Sequence, residues 1–533
     1  MRCRSHSASF ASRVIEEIVV FPGTIAATTP DKAAVVDAAT GTALTYRELD
    51  DNSARLANHL DELGLRPGDT IAMVSRNNLH MFEVYWAAIR SGLYVTAINH
   101  HLTADETAYI LTDSAAKVLF ADATVAEAVS TSGAIEALAE PGHRIAWSGV
   151  INGFDDYDDV LAAAPDTPRT DEPRGTDMLY SSGTTGRPKG IRTPLPDGLV
   201  AEIPDAYTAV FGPLYGFDAE SVYLSPAPLY HAAPLRFCGV TNSVGGTVVF
   251  MDHFEPDEAL RLVEEYRATH SQWVPTMFIR MLKLPTDIRD KYDVSSLKVA
   301  IHAAAPCPAE VKREMIEWWG PVIHEYYAST EAAGATFIGP EDALTHPGSV
   351  GRAGMGVIRI CDDAGDEVPV GDVGLVYFER ETPAFEYHND PGKTASAYHP
   401  QHPTWATTGD MGYVDDEGFL YLTDRKAFMI ISGGVNIYPQ EAENVLINHP
   451  AVYDVAVIGV PDEDLGEVAK ALVQLDPAYA ASQALADDLL DFAGESLARY
   501  KVPRSVDFVA DLPRTPTGKL VKGELTKRYA ASR

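Results

Sequence analysis

Cysteine is nearly missing from this sequence: 533 residues hold four, Cys3, Cys238, Cys307 and Cys361, with no short CxxC spacing and no histidine at finger distance. That excludes a disulfide framework and a structural zinc site, and it fits a reducing cytoplasm. No run of about 18 apolar residues occurs, so no transmembrane segment is expected. Positive charge is scarce as well. The 42 Lys and Arg against 76 Asp and Glu leave a formal charge of −34, a field that repels phosphate backbones and anionic lipid, so nucleic acid is not an expected partner. Lysine is the rarer cation, 14 against 28 arginines, which makes any lysine in a glycine-rich loop conspicuous. The opening stretch 1–14 carries arginine and serine but no acid, like a transit peptide, yet it is short and reads as an extended start.

What remains is globular in composition, 46% hydrophobic and 22% charged. The length implies more than one domain at roughly 100 to 200 residues each. The first half alternates helix and strand signals. Thr45-Tyr-Arg-Glu48 and Thr103-Ala-Asp-Glu106 are capping boxes that open helices. Thr70 to Val74, Tyr94 to Ile98 and Lys117 to Ala121 read as strands. From about Gly348 the pattern changes to hairpins: Val357 to Ile360 returns through Leu375 to Phe378, and Met411 to Val414 returns through Phe419 to Leu422. After Asp424-Arg425-Lys426 an α/β pattern restarts, with a helix from Pro439 and a strand over Val455 to Val460. The fold class is therefore α/β. A large N-terminal domain (1–425) of two α/β subdomains plus a β-rich subdomain precedes a small α+β C-terminal domain (426–533).

The strongest chemical signal is Tyr180-Ser-Ser-Gly-Thr-Thr-Gly-Arg-Pro-Lys-Gly190. Its small residues let backbone N–H groups and hydroxyls converge on an anion, and Lys189 adds charge. It is not a Walker A loop, because Pro188 precedes the lysine and Gly190 follows it. Four weaker islands follow. Pro228-Leu-Tyr-His231 sets an imidazole beside an aromatic ring. Tyr326-Tyr-Ala-Ser-Thr-Glu331 offers a ring, a hydroxyl and one carboxylate of the kind Mg²⁺ takes alongside phosphate oxygens. Thr407-Thr-Gly-Asp410 places a carboxylate after a tight turn, and Leu512-Pro-Arg-Thr-Pro-Thr-Gly-Lys519 holds a lysine at the tip of a poorly helical loop.

In this order the islands resemble the adenylate-forming superfamily of acyl-CoA synthetases, peptide-synthetase adenylation domains and luciferases, over about Pro30 to Leu525. The resemblance implies an enzyme that uses ATP, Mg²⁺ and coenzyme A to turn a carboxylic acid into acyl-AMP and then into a thioester. It assigns Ser181, Ser182, Gly183, Thr184, Thr185, Gly186 and Lys189 to the ATP phosphates. Tyr327 should stack on adenine and Thr330 contact phosphate. Glu331, with Thr185, should hold Mg²⁺. Ala304, Ala305, Pro306, Tyr326, Ala328 and Leu422 complete the nucleotide site, and Asp410 and Arg425 take the ribose. Lys519 bridges the reacting carboxylate and the ribose side. His231 stands at the mouth of the acid pocket. A rotation of the C-terminal domain about Lys426 and Ala427 should then bring Ser432, Gly433 and Gly434 to the site beside the pantetheine arm. Two departures stand out: Tyr327 is followed by Ala328 instead of glycine, and the hinge carries Ala427 where relatives have a charged residue.

The acid pocket is expected at Trp273, Met277 and Phe278, at Ala303, and at Ala332, Ala333 and Gly334. These are apolar and mostly small, and no aspartate is available for an amino group. A medium- to long-chain or ring-bearing acid is favoured. The chain ends at Arg533 with no carrier domain, which favours free CoA over the alternative, an acyl-AMP ligase loading a carrier protein. A luciferase-like oxygenase and a non-catalytic nucleotide-binding protein are further alternatives. Length and charge leave oligomeric state open, with a homodimer as one outcome.

Overall fold

A computed structural model describes residues 21–129, 138, 143–181, 188–462, 464–514 and 520–530. Both capping boxes form. The Thr45 hydroxyl accepts the Glu48 N–H at 3.2 Å while the Glu48 carboxylate accepts the Thr45 N–H at 2.8 Å, opening the helix Tyr46–Glu62. Thr103 and Glu106 do the same for Ala104–Asp113. Satisfying two of the orphan N–H groups fixes where each helix begins.

A six-stranded, all-parallel sheet fills the first part, in the order Asp155–Asp156, Arg144–Trp147, Ala116–Asp122, Thr70–Val74, Tyr94–Ile98, Thr176–Asp177. Every residue of Thr70–Val74 and Tyr94–Ile98 is buried. Helices cover both faces of such a sheet, which is why these strands read as unbroken apolar runs.

The second sheet has fourteen strands. Ala33–Asp37, Thr247–Phe250, Val222–Ser225, His270–Trp273, Val299–His302 and Ile323–Ala328 lie side by side in parallel. The direction then reverses, because Ala335–Ile338 pairs antiparallel with Ile323–Ala328. Ser349–Met355, Phe419–Arg425, Asp410–Val414, Gly374–Glu379 and Val357–Cys361 continue antiparallel. Both expected hairpins are present. The β-rich subdomain is hydrogen-bonded without a break to the second α/β unit, so the two share one sheet.

A short sheet of Leu179–Ser181, Lys189–Arg192 and Glu386–Tyr387 bridges these parts. The C-terminal domain has its own five-stranded sheet, with Ile430–Ser432, Val435–Ile437, Val452–Asp462, Gly466–Leu475 and Ser505–Val509. Helices Pro439–Leu446 and Gln483–Ser496 pack on it through Leu446, Leu489 and Ala493.

Candidate active site

Strand direction gathers the motifs. The parallel strands Val222–Ser225, His270–Trp273, Val299–His302 and Ile323–Ala328 are consecutive neighbours, so the segments leaving their carboxyl ends share one rim of the sheet. Those segments carry His231, Ala303 to Pro306, and Ser329 to Gly334. The rim at the carboxyl ends of parallel strands is where open α/β sheets bind ligands. Two alanines there take left-handed backbone, Ala304 at φ 74° and Ala332 at φ 52°. Such strain concentrates where surrounding structure over-determines the chain.

The antiparallel half supplies a polar corner. Asp410 and Arg425 are register partners. The Arg425 Nε–H donates to Asp410 Oδ1 at 3.1 Å, and the Tyr327 hydroxyl donates to Asp410 Oδ2 at 2.6 Å. Thr408 Oγ1 adds a third bond at 2.8 Å. Burial, followed by the adjacent Asp410 charge, raises the Tyr327 phenol well above its ordinary range, so it stays a donor. Tyr327 and Leu422 pack on the cluster of Val350, Val376, Phe378 and Leu420. Tyr326 faces the other way, because neighbours on a strand alternate sides, and its ring meets Phe211 and Phe237 at 5.1 and 6.0 Å. The structure therefore brings Tyr327, Asp410 and Arg425 together and sends Tyr326 into the aromatic core. Ala328 pairs with Ala335 at the end of the strand, and Thr330 is half-buried beyond it.

Glu331 is buried and accepts the Tyr387 hydroxyl on Oε1 at 2.9 Å. Among the described residues its second oxygen accepts no hydrogen bond. The Lys189 ammonium lies 4.7 Å from the centre of the Tyr387 ring. Burial, then repulsion from Lys393, lowers the Lys189 pKa, while Glu331 and Asp390 oppose the shift. Lys189 pairs in register with Ser181. Ser182, Gly183, Thr184, Thr185, Gly186 and Lys519 lie outside the described residues. Tyr387 was not marked by any motif.

His231 is the N-cap residue of the helix Ala232–Ser243, its ring 4.5 Å from that of Tyr230. Ala303 and Ala333 are buried, while Ala304 and Pro306 are exposed and Ala305 is intermediate. Gly334 is held by contact, since a Cβ there would lie 2.2 Å from the Phe378 ring. Trp273, Met277 and Phe278 are buried in a different cluster, with Trp273 and Phe278 both packed on Trp319.

In the C-terminal domain Ser432 pairs with Val435 across Gly433 and Gly434, whose φ values are 57° and 82°. Two consecutive positive φ angles make the tight hairpin turn that glycine favours. At the junction the Lys426 N–H donates to the Gly409 carbonyl at 2.9 Å and its ammonium meets Asp363 at 2.5 Å. Asp424 accepts the Gln440 N–H at 3.1 Å. Ala427 itself brings no polar group, but Asp424 and Lys426 just before it are both tied.

A parallel-to-antiparallel sheet with a carboxylate–arginine–tyrosine corner, a carboxylate on its rim, a lysine on the short sheet beside it, and a separate small domain beyond defines a nucleotide-dependent adenylating enzyme. The chain belongs to the AMP-binding enzyme family: the family model matches residues 24–388, and that of the AMP-binding enzyme C-terminal domain matches 441–519. Within the adenylate-forming superfamily it falls in the acyl-CoA synthetase branch, as an AMP-forming acid–thiol ligase that uses ATP, Mg²⁺ and CoA. It is 32% identical to a long-chain-fatty-acid–CoA ligase of Mycobacterium tuberculosis over 95% of this chain and 97% of that one. It is 35% identical to a feruloyl-CoA synthase of an Amycolatopsis species, over 92% and 94%. A fatty acid–[acyl-carrier-protein] ligase of Streptomyces coeruleorubidus is 31% identical over 92% of each chain. Among solved structures, an anthranilate CoA ligase in complex with anthranoyl-AMP superposes with a TM-score of 0.84 at 26% identity, covering 97% of this chain and 98% of that one.

Proposed function

We propose that this enzyme activates an apolar acid, either a medium- to long-chain fatty acid or a ring-bearing one, and transfers it to free CoA. The observation that carries the choice is Arg236, on the helix that starts after His231. Its guanidinium is already paired: Nε and Nη2 donate to both oxygens of Asp177 at 3.0 and 2.7 Å, and Nη1 to the Tyr207 hydroxyl at 2.7 Å. A buried cation so paired is not available to a second carboxylate on the substrate. Ala303, Ala332, Ala333 and Gly334 add no charge, and the long-chain and feruloyl relatives point to the same class.

The residues fit their expected groups. Asp410 and Arg425 present a carboxylate and a cation to a ribose, beside the pinned ring of Tyr327. Glu331 keeps one oxygen for Mg²⁺, which prefers few carboxylates plus phosphate oxygens, and Thr185 would join it. Bound Mg²⁺ would offset the negative charge of the leaving pyrophosphate. The acid's carboxylate oxygen attacks the α-phosphorus as the bond to pyrophosphate breaks. Lys189 and Lys519 stabilise the charge, and His231 lines the entry. In the second half the CoA thiol loses its proton, its sulfur bonds to the acyl carbon, and AMP leaves. We place the domain boundary at Arg425, with Lys426 and Ala427 as the hinge of a mobile C-terminal domain that presents Ser432, Gly433 and Gly434 for this step.

The three described cysteines are free, which supports a cytoplasmic setting. A homodimer is tested by light scattering on the eluting protein. The reaction is tested by mass spectrometry on MgATP plus a pool of fatty, aromatic and dicarboxylic acids, with and without CoA. The expected result is thioesters of apolar monoacids, formed only with CoA. Thioesters of dicarboxylic acids alone would overturn the acid class. Acyl-AMP accumulating in both samples would favour carrier loading, the activity named for the Streptomyces relative.

A further inference from the structure

Tyr387 stands between Lys189, assigned to the ATP phosphates, and Glu331, assigned to Mg²⁺. Its backbone is fixed on both sides: it pairs in register with Ile191, and its N–H donates to Thr394 Oγ1 at 2.9 Å. Its ring is 8% exposed and packs on Phe385. The ring face receives the Lys189 ammonium at 4.7 Å, and the hydroxyl donates to Glu331 at 2.9 Å.

A lysine and a glutamate facing one another in a partly buried pocket attract strongly. Direct contact would neutralise both before nucleotide entered. One tyrosine prevents this with two different interactions, a π face for the cation and an O–H for the carboxylate. We propose that Tyr387 is a positioning residue that holds Glu331 aimed for the metal and apart from Lys189. The proposal rests on the reading above that Glu331 holds Mg²⁺.

The test separates the two interactions, because Tyr387→Phe keeps the ring and loses the hydroxyl. Mn²⁺ is titrated into the protein with α,β-methylene-ATP, which cannot be cleaved at the bond that adenylation breaks, and free Mn²⁺ is read by electron paramagnetic resonance. Tyr387→Phe is expected to weaken Mn²⁺ binding by about 10-fold, the scale of one hydrogen bond to a charged group. In a Glu331→Gln background the same change should add nothing further, because the two residues act as one unit. Mn²⁺ affinity within about twofold of wild type in Tyr387→Phe, with only the melting temperature lowered, would reduce Tyr387 to packing and overturn the proposal. Full additivity in the double variant would also overturn it. Wild-type Mn²⁺ affinity in Glu331→Gln would instead bring down the metal assignment itself, and this proposal with it.

Discussion

Asp410 sits in a corner where Tyr327, Thr408 and Arg425 all bond to one carboxylate. Gly433 and Gly434 stand instead at the tip of a hairpin flanked by Ile431 and Val435, which are 51% and 46% exposed. The corner belongs to the fourteen-stranded sheet, and the hairpin to a small sheet joined to it by a few residues around Ala427. Groups that bind nucleotide gain from being fixed before it arrives, since ordering them afterwards would cost affinity. Groups that serve the second half-reaction must leave the site free for the first. Apolar side chains left in solvent on such a hairpin are suited to being covered in a second orientation. On the proposed assignment, the adenylating side is preorganised and the thioester-forming side is kept apart on its own fold.

The comparison breaks most sharply at Lys519. If the C-terminal domain supplies the charge that stabilises adenylation, Lys519→Ala should lower acyl-AMP formation by about 10²- to 10³-fold. Thioester formation from pre-formed acyl-AMP should be nearly unchanged. Pyrophosphate release for the first half and quenched-flow thiolysis for the second give the two rates, and equal losses in both would contradict the division. The next largest effect is expected in the corner. Asp410→Asn keeps the shape but removes the charge that Arg425 and Tyr327 bond to, and a hydrogen bond to a charged group is worth about 1.5 to 3 kcal/mol. The KM for ATP should rise by about 10- to 100-fold, with thiolysis of acyl-AMP affected less. A KM that stays put would show that the corner is structural only.

Much of this contrast was legible in the sequence, and the exceptions have physical causes. Thr70–Val74 and Tyr94–Ile98 were legible because strands covered on both faces must be continuously apolar. Thr45 and Thr103 were legible because a capping box is a local bond between residues three apart. The continuity of the large sheet was not, since Ser349 pairs with Tyr421 across most of a subdomain and no local pattern encodes such a register. Tyr387 was missed because Glu386-Tyr-His-Asn-Asp390 resembles any turn-rich surface segment; only pairing with Ile191 brings it to Lys189. The split between Tyr326 and Tyr327 was available, as adjacent residues on a strand point to opposite faces. The packing of Trp273 and Phe278 on Trp319 was not legible either, because Trp319 comes from the distant helix Ala309–Trp319.

Two smaller effects sharpen the comparison from either side. On the hairpin, a Cβ at Gly434 would meet nothing within 4 Å, so Gly434→Val would not clash there. Its φ of 82° is nonetheless unfavourable for a β-branched residue. A cost of about 1 to 2 kcal/mol confined to the turn should slow thiolysis by about 10-fold while adenylation keeps its rate. Loss of both would mean that the hairpin contributes to the first half as well.

On the rigid side, His302 is fully buried, and neither ring nitrogen finds a hydrogen-bond partner among the described residues. It faces Glu325, 3.8 Å away, and the Lys312 ammonium that Glu325 binds, with Phe278 against its ring. Burial, then the charges of Lys312 and His324, pushes its pKa well below the ordinary imidazole range. The unfolded chain therefore takes up a proton that the folded chain refuses. Its contribution to stability is fully present above the ordinary imidazole range and is lost as pH falls through it toward the lowered folded value. Each such group costs about 1.4 kcal/mol per pH unit in that window. His270 and His324, lowered chiefly by burial, add to the same slope. Unfolding followed by tryptophan fluorescence from about pH 7.5 to about pH 5.5 should show stability declining with acid, and His302→Phe should remove one group's share of the slope. A steeper decline in the variant would mean that the imidazole is charged in the fold and held by Glu325, and the large sheet would then carry an ion triad where a neutral ring is inferred; an unchanged slope would mean that the ring titrates alike in the folded and unfolded chain.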